Sequence, residues 1–317
     1  MQNEEFLIDA PIGADPVEWM ECSYMQGLLS NWVRENVFNG VITEDEAISF
    51  AEYSKIVPVE EMKKVISIFN KINEVKDYVS SLGYTVAGVF LHGSQNYKLD
   101  TENSDVDTKC IVIPSFDDIC SSCAPISTTL ILPSSEHIDL KDIRIMFDNI
   151  LKQNSNYLEI LFTQYYYLNP EYERILRNLF IYRENIARFD EFSAVRCMTG
   201  MSFSQRFLKY SEKNPGKYDS KLLAHIVRNN EMLKRYVAGE TFEKCLISNQ
   251  LDYLRKLKAG VLSCEDAKTL VKNISKESMK IRQDFIQSKT NSIKTEISDL
   301  FHDMIKKCLK IRFNIEE

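Results

Sequence analysis

Residues 90–109 read Phe90-Leu-His-Gly-Ser-Gln-Asn-Tyr-Lys-Leu-Asp-Thr-Glu-Asn-Ser-Asp-Val-Asp-Thr-Lys109, and the fold can be laid out from this stretch in both directions. Upstream, Tyr84-Thr-Val-Ala-Gly-Val-Phe-Leu91 is short, β-branched and aromatic, the profile of a buried strand, and Gly83 stops the helix before it. Downstream, twelve residues beyond Gly93, Asp105-Val106-Asp107 leads into Cys110-Ile-Val-Ile113, a second strand expected to begin near Asp105 and ended by Pro114. Ser127–Leu132 and His137–Leu140 are further strand candidates, and Lys141–Lys152 is amphipathic. Before the strands, apolar residues recur at helical spacing from Pro16 to about Asn39 and from about Glu44 to Leu82, interrupted at Pro58, which predicts three helices. Helical patterning returns from Pro170 to the end.

The predicted class is α+β: a core with a mixed β-sheet followed by a helical domain. The expected division is an N-terminal helical extension over 1–57, a core over 58–185 and a C-terminal helical domain over 186–317. With 317 residues, 44% hydrophobic and 27% charged, the chain has ample apolar material for a core. Met1-Gln2-Asn3-Glu4-Glu5 lacks the basic and apolar regions of a signal peptide, and no apolar run is long enough to span a bilayer. A cytoplasmic protein without a membrane partner is expected, its eight cysteines reduced. Cys120 and Cys123 form the C-x-x-C pair, but only His92 and His137 lie nearby in sequence, too few well-spaced ligands for zinc.

The chemistry of the opening stretch follows from residue types and spacing. Gly93 lets the backbone approach an anion with no Cβ in the way, the N–H groups opening the following helix are donors, and Ser94 adds a hydroxyl. Side chains alternate along a strand, so Asp105 and Asp107 face one side, roughly 7 Å apart, while Val106 faces the other. Two carboxylates so placed suit divalent magnesium or manganese, which keeps coordination positions for water and phosphate oxygens. The combination of strand, Gly-Ser, spacer and D-x-D is far more specific than a lone D-x-D.

On these residues the sequence resembles the DNA polymerase β nucleotidyltransferase superfamily, over about 84–114. Within it, the Gly-Ser-Gln-Asn-Tyr opening, the run from Leu99 to Lys109, Asn154-Ser-Asn-Tyr-Leu-Glu-Ile-Leu-Phe162 and Lys221-x3-His225-x2-Arg228 are similar to a predicted nucleotidyltransferase family associated with RNA ligase in RNA-repair clusters. The resemblance implies a polymerase-β-like core and a metal-dependent transfer of NMP from an NTP to a hydroxyl acceptor, with an RNA 3′ end favoured over a protein or small molecule. It implies Asp105 and Asp107 as catalytic metal ligands with a third carboxylate from a later strand. Asp139 is the candidate, also as proton acceptor; Glu136 and Asp142 are alternatives, and Asp142 is equally placed to cap the helix that follows.

Two readings stand for Lys221, His225 and Arg228, which share one helical face: a solvated stripe, or a wall for triphosphate or a nucleic-acid end. For Asn156 and Glu159, an ordinary polar-capped helix is preferred to a substrate role. Residues 221–317 carry 19 Lys and Arg against 13 Asp and Glu, whereas 1–220 carry 20 against 33. That basic tail, including Arg255, Lys256 and Lys258, is either a solvated helical surface or a set of RNA phosphate contacts. A protein-modifying (AMPylating) enzyme and an antitoxin-like regulatory protein with a dedicated partner are the competing functions, and an RNA-binding module is a third.

Overall fold

A computed structural model describes residues 23–101, 104–121, 124–134, 136–202 and 205–315. The leading helices are α1 (Ser23–Val33), which runs into a π turn at Arg34–Phe38, α2 (Glu44–Ser54) and α3 (Val59–Ser81). Thr43 and Glu46 close a capping box on α2, and Pro58 stands at the N-cap of α3, where its missing N–H costs nothing. All three helices are as the periodicity predicts, with residues 16–22 of the first lying outside the described residues.

Next come the strands β1 (Thr85–Leu91), β2 (Thr108–Ile113), β3 (Ser127–Ile131) and β4 (His137–Asp142), with short α4 (Phe116–Cys120) between β2 and β3. Helix α5 (Ile143–Leu151) follows, then α6 (Ser155–Leu158) with a 3-10 turn at Glu159–Leu161, and β5 (Tyr166–Leu168). The sheet order is β3-β4-β2-β1-β5; β2 and β4 are parallel and the other neighbours antiparallel, so the class is α+β with a five-stranded mixed sheet. β5, only three residues long, is too short to show a period and was not predicted. β2 starts at Thr108, three residues later than the sequence suggests. The ladder continues only as far as His92 N–H to Asp107 O (3.0 Å), because the β1 chain turns away at Gly93 and leaves Asp105 no strand to pair with.

Both sheet faces are covered. Val86, Val89, Leu91, Cys110, Val112, Ile138 and Leu140 pack with Leu29, Trp32, Val65, Phe69 and Ile72 of the leading helices. The opposite face carries Ala87, Phe90, Ile111 and Ile113 against Ile143, Phe147 and Ile150. Beyond β5 the chain forms α7 (Pro170–Ile181), α8 (Arg183–Ala187), α9 (Glu191–Ser202), α10 (Gln205–Lys213), α11 (Ser220–Val237), α12 (Phe242–Leu246), α13 (Leu251–Lys258), α14 (Cys264–Ser288) and α15 (Thr295–Arg312). Phe301, Met304 and Cys308 of α15 join the second face, so the apolar clusters run across the joins near residues 57 and 185. A third cluster buries Tyr97 and Leu99 among Phe207, Leu223, Ile226, Leu254 and Leu257, which seats the segment after Gly93 in the helical layer.

Asp142 caps α5. It is fully buried, accepts Arg144 N–H (2.8 Å) and is gripped by the Arg144 guanidinium at 3.0 and 2.6 Å. Removing it leaves a guanidinium and a helix terminus without their acceptor. Asp142→Ala should therefore lower unfolding stability by about 2–4 kcal/mol. Urea denaturation checks this; a loss of only a few tenths would mean that the cap and its arginine are dispensable.

Candidate active site

Where β1 ends, the chain turns at Gly93 with φ 91° and ψ −156°, a backbone state that essentially only glycine adopts. A 3-10 turn, Ser94–Tyr97, follows. Asn96 braces it, donating to Leu91 O (2.8 Å) and accepting from the Thr163 hydroxyl (2.8 Å). Asp107 stands directly beside the turn, since a Cβ on Gly93 would lie 3.6 Å from its Oδ2. Asp107 is half-buried and Asp105 exposed. Among the described residues no salt bridge or side-chain hydrogen bond claims either carboxylate, and the Gln95 amide reaches only the Asp105 backbone oxygen (3.4 Å).

Asp139 pairs in register with Lys109, two residues beyond Asp107 and on the same sheet face. Its oxygens are taken, however, by Lys109 Nζ (3.0 Å) and Lys141 Nζ (2.7 Å). Burial pushes the Asp139 carboxyl up, but the two ammonium groups outweigh it and hold the pKa below the ordinary value. Lys109 also lies 4.3 Å from the Tyr157 ring centroid. Among the described residues no three His, Cys, Asp or Glu side chains gather to hold a metal ion, so Asp139 does not join Asp105 and Asp107 in a ready-made cluster. The alternatives lie elsewhere: Glu136 pairs with Lys71 (2.7 Å), and Asp142 caps α5. Cys120 is exposed, and Cys123 lies outside the described residues.

Glu159 is the residue that sequence reasoning undervalued. Asn154, not Glu159, caps α6, accepting Asn156 N–H at 3.2 Å. Glu159 is 3% exposed, accepts the Gly93 N–H (3.0 Å) and lies 3.4 Å from His92 Nδ1. Burial raises its pKa, but His92, Arg228 and Lys109 outweigh burial and hold it below the ordinary carboxylate value. A signal was present in the sequence: Glu159 interrupts Leu158-Glu-Ile-Leu-Phe162, and a carboxylate carried inward with such neighbours needs partners.

Helix α11 forms the wall facing these groups. Arg228 is 4% exposed; its guanidinium lies 3.6 Å from the Tyr97 ring centroid, Nη1 donates to Leu246 O (3.3 Å), and Nε has no partner. Lys221 is exposed and His225 half-buried, so the three residues share a face without forming a solvated stripe. In the basic tail, Arg255 donates to Lys98 O (3.1 Å) and Lys258 to Leu99 O (2.8 Å), while Lys256 is exposed. Two of the three proposed RNA contacts are thus engaged on the segment between Gly93 and Asp105.

Burial, followed by the charges of Arg228 and Lys221, pushes His225 down to about 4, with Glu159 opposing. The unfolded chain binds this proton near pH 6.5 and the folded protein only near 4, so acidification through that window favours unfolding. His225→Asn should show a shallower loss of stability between those pH values. Equal slopes for the two proteins in pH-dependent urea titrations would overturn this account of the imidazole.

In comparisons with known proteins, no family model matches this chain and no curated protein matches it.

Proposed function

We propose that the protein is a metal-dependent nucleotidyltransferase with a polymerase-β-like core, moving NMP from an NTP to a hydroxyl acceptor and releasing pyrophosphate. The observation that carries this reading is the pairing of Asp105 and Asp107, unclaimed by any described cation, with a glycine turn whose missing Cβ leaves room beside Asp107. Their donor set fits magnesium or manganese: two hard carboxylate ligands, Asp107 half-buried beside the turn and Asp105 exposed, leaving positions for water and phosphate oxygens. When bound there, a divalent cation supplies charge neutralisation for the triphosphate and a lowered pKa for the attacking hydroxyl.

The chain's own residues do the rest. Gly93 and Ser94 receive the phosphates where the backbone can approach closely. Lys221 and neutral His225 offer a cation and a hydrogen-bonding imidazole from α11. Arg228 is too deeply buried for direct contact and serves by holding Tyr97. Asp139, paired with two lysines, is a poor proton acceptor; its better role is to fix Lys109 and Lys141 on the site face.

An RNA end remains the favoured acceptor. A protein hydroxyl is the second reading, favoured by the engagement of Arg255 and Lys258 on loop carbonyls, which takes them away from nucleic-acid phosphates. No described helix is long and apolar enough to cross a membrane.

Incubation with each α-labelled NTP and magnesium, with total RNA or total protein added, tests the reading. Label should enter one macromolecular fraction, and no transfer from any NTP to either would count against it. Asp105→Asn and Asp107→Asn should each abolish transfer while leaving circular dichroism unchanged; near-normal activity in both would show that the carboxylates are misassigned. Gly93→Val should weaken nucleotide binding more than Ser94→Ala, because valine both fills the approach and is strained at φ 91°. Unchanged nucleotide affinity in Gly93→Val would place the phosphates elsewhere.

A further inference from the structure

The segment from Gly93 to Asp100, which joins the glycine turn to the acidic pair, is held from three directions. Lys64 of α3 pairs with Asp100 (2.8 Å), Arg255 and Lys258 of α13 hold the Lys98 and Leu99 carbonyls, and Arg228 of α11 covers the Tyr97 ring. Glu159 stands at the centre of this arrangement. It bonds the Gly93 N–H itself, its charge acts on Tyr97 and Arg228, and it flanks His92, whose own N–H donates to Asp107 O.

We infer that Glu159 is a positioning residue for the Gly93 turn, and that Arg228, acting through Tyr97, is the strut by which the helical layer holds that turn against Asp107. The inference deepens the proposed function and rests on it for the identity of the ligand. A neutral side chain could accept the Gly93 N–H; the ionised carboxylate makes that bond charge-assisted and, without pairing directly, sets a favourable charge near buried Arg228, whose guanidinium has the Leu246 carbonyl and a tyrosine face as its contacts. Because Gly93 uses its N–H inward on Glu159, its Cα side and the following Ser94 are what the turn presents toward Asp107. Loss of the carboxylate charge should loosen the turn without unfolding the sheet, whose two apolar faces do not depend on it.

Two variants test this, Glu159→Gln, which removes the charge and keeps an acceptor oxygen, and Arg228→Met, which keeps a chain of similar length and removes the guanidinium over Tyr97. Amide hydrogen exchange is followed in peptides covering 91–99, with peptides of β1 and β2 as internal controls. Calorimetric titration with MgATP, MgGTP, MgCTP and MgUTP is run on the same proteins. Glu159→Gln should speed exchange in 91–99 and weaken the tightest nucleotide, each by about tenfold, with the controls and the thermal midpoint little changed. Arg228→Met should move both in the same direction by less. Exchange in 91–99 unchanged in a folded Glu159→Gln protein overturns the inference, as does acceleration spread evenly over the sheet; if that variant does not fold, unchanged exchange in Arg228→Met overturns it. Failure of the wild type to bind any of the four nucleotides refutes the proposed function instead, and the exchange result still decides the positioning role.

Discussion

One hydrogen bond, from the Gly93 N–H to the buried carboxylate of Glu159, connects the parts of this molecule that matter for its chemistry. β1 must end and reverse beside β2 so that Asp107 faces the turn, and the reversal requires a φ of 91° that a side chain would resist. The N–H exposed by that conformation cannot stay unpaired under the helical layer. Glu159 supplies the acceptor, and its burial then demands partners, which the His92 imidazole at 3.4 Å and the nearby charge of Arg228 provide. A single backbone constraint thus explains an ionised residue in an apolar run and a nearly inaccessible arginine on α11.

The same logic redistributes the positive charge of the C-terminal third. Lysines and arginines on long helices are usually read as a solvated or phosphate-binding surface. Here buried Arg228, exposed Arg255 and half-buried Lys258 all engage one segment, 97–99, and satisfy a ring face and two carbonyls. The excess charge is partly a device for holding a loop that has little regular structure of its own, and it connects the helical layer to the edge of the proposed site.

The two groups of carboxylates on the site face behave differently. Asp139 is paired with two lysines, and His92, Arg228 and Lys109 outweigh burial to hold the Glu159 carboxyl below its ordinary value. Asp105 and Asp107 have no such partners among the described residues. A carboxylate already neutralised by two ammonium groups gains little from a metal, so in the proposed function that role falls to Asp105 and Asp107.

The strands β1, β3 and β4, the three leading helices and the α+β class were legible because each rests on local periodicity or on Gly and Pro punctuation, which act within a few residues. The Gly93, Asp105 and Asp107 spacing was legible for the same reason. Three-residue β5 was not, since its strand state depends on pairing with β1, about eighty residues earlier in sequence. The sequence favoured Asp139 over Glu136 and Asp142 but could not show what occupies each: Lys71 draws Glu136 away, Arg144 and the α5 terminus take Asp142, and Lys109 and Lys141 enclose Asp139. Local patterning by itself determined the leading helices, β1, β3, β4 and the position of the acidic pair in the sequence. Tertiary structure alone decided which charges are spent on one another, because pairing energies depend on distance and burial that only the packed chain sets.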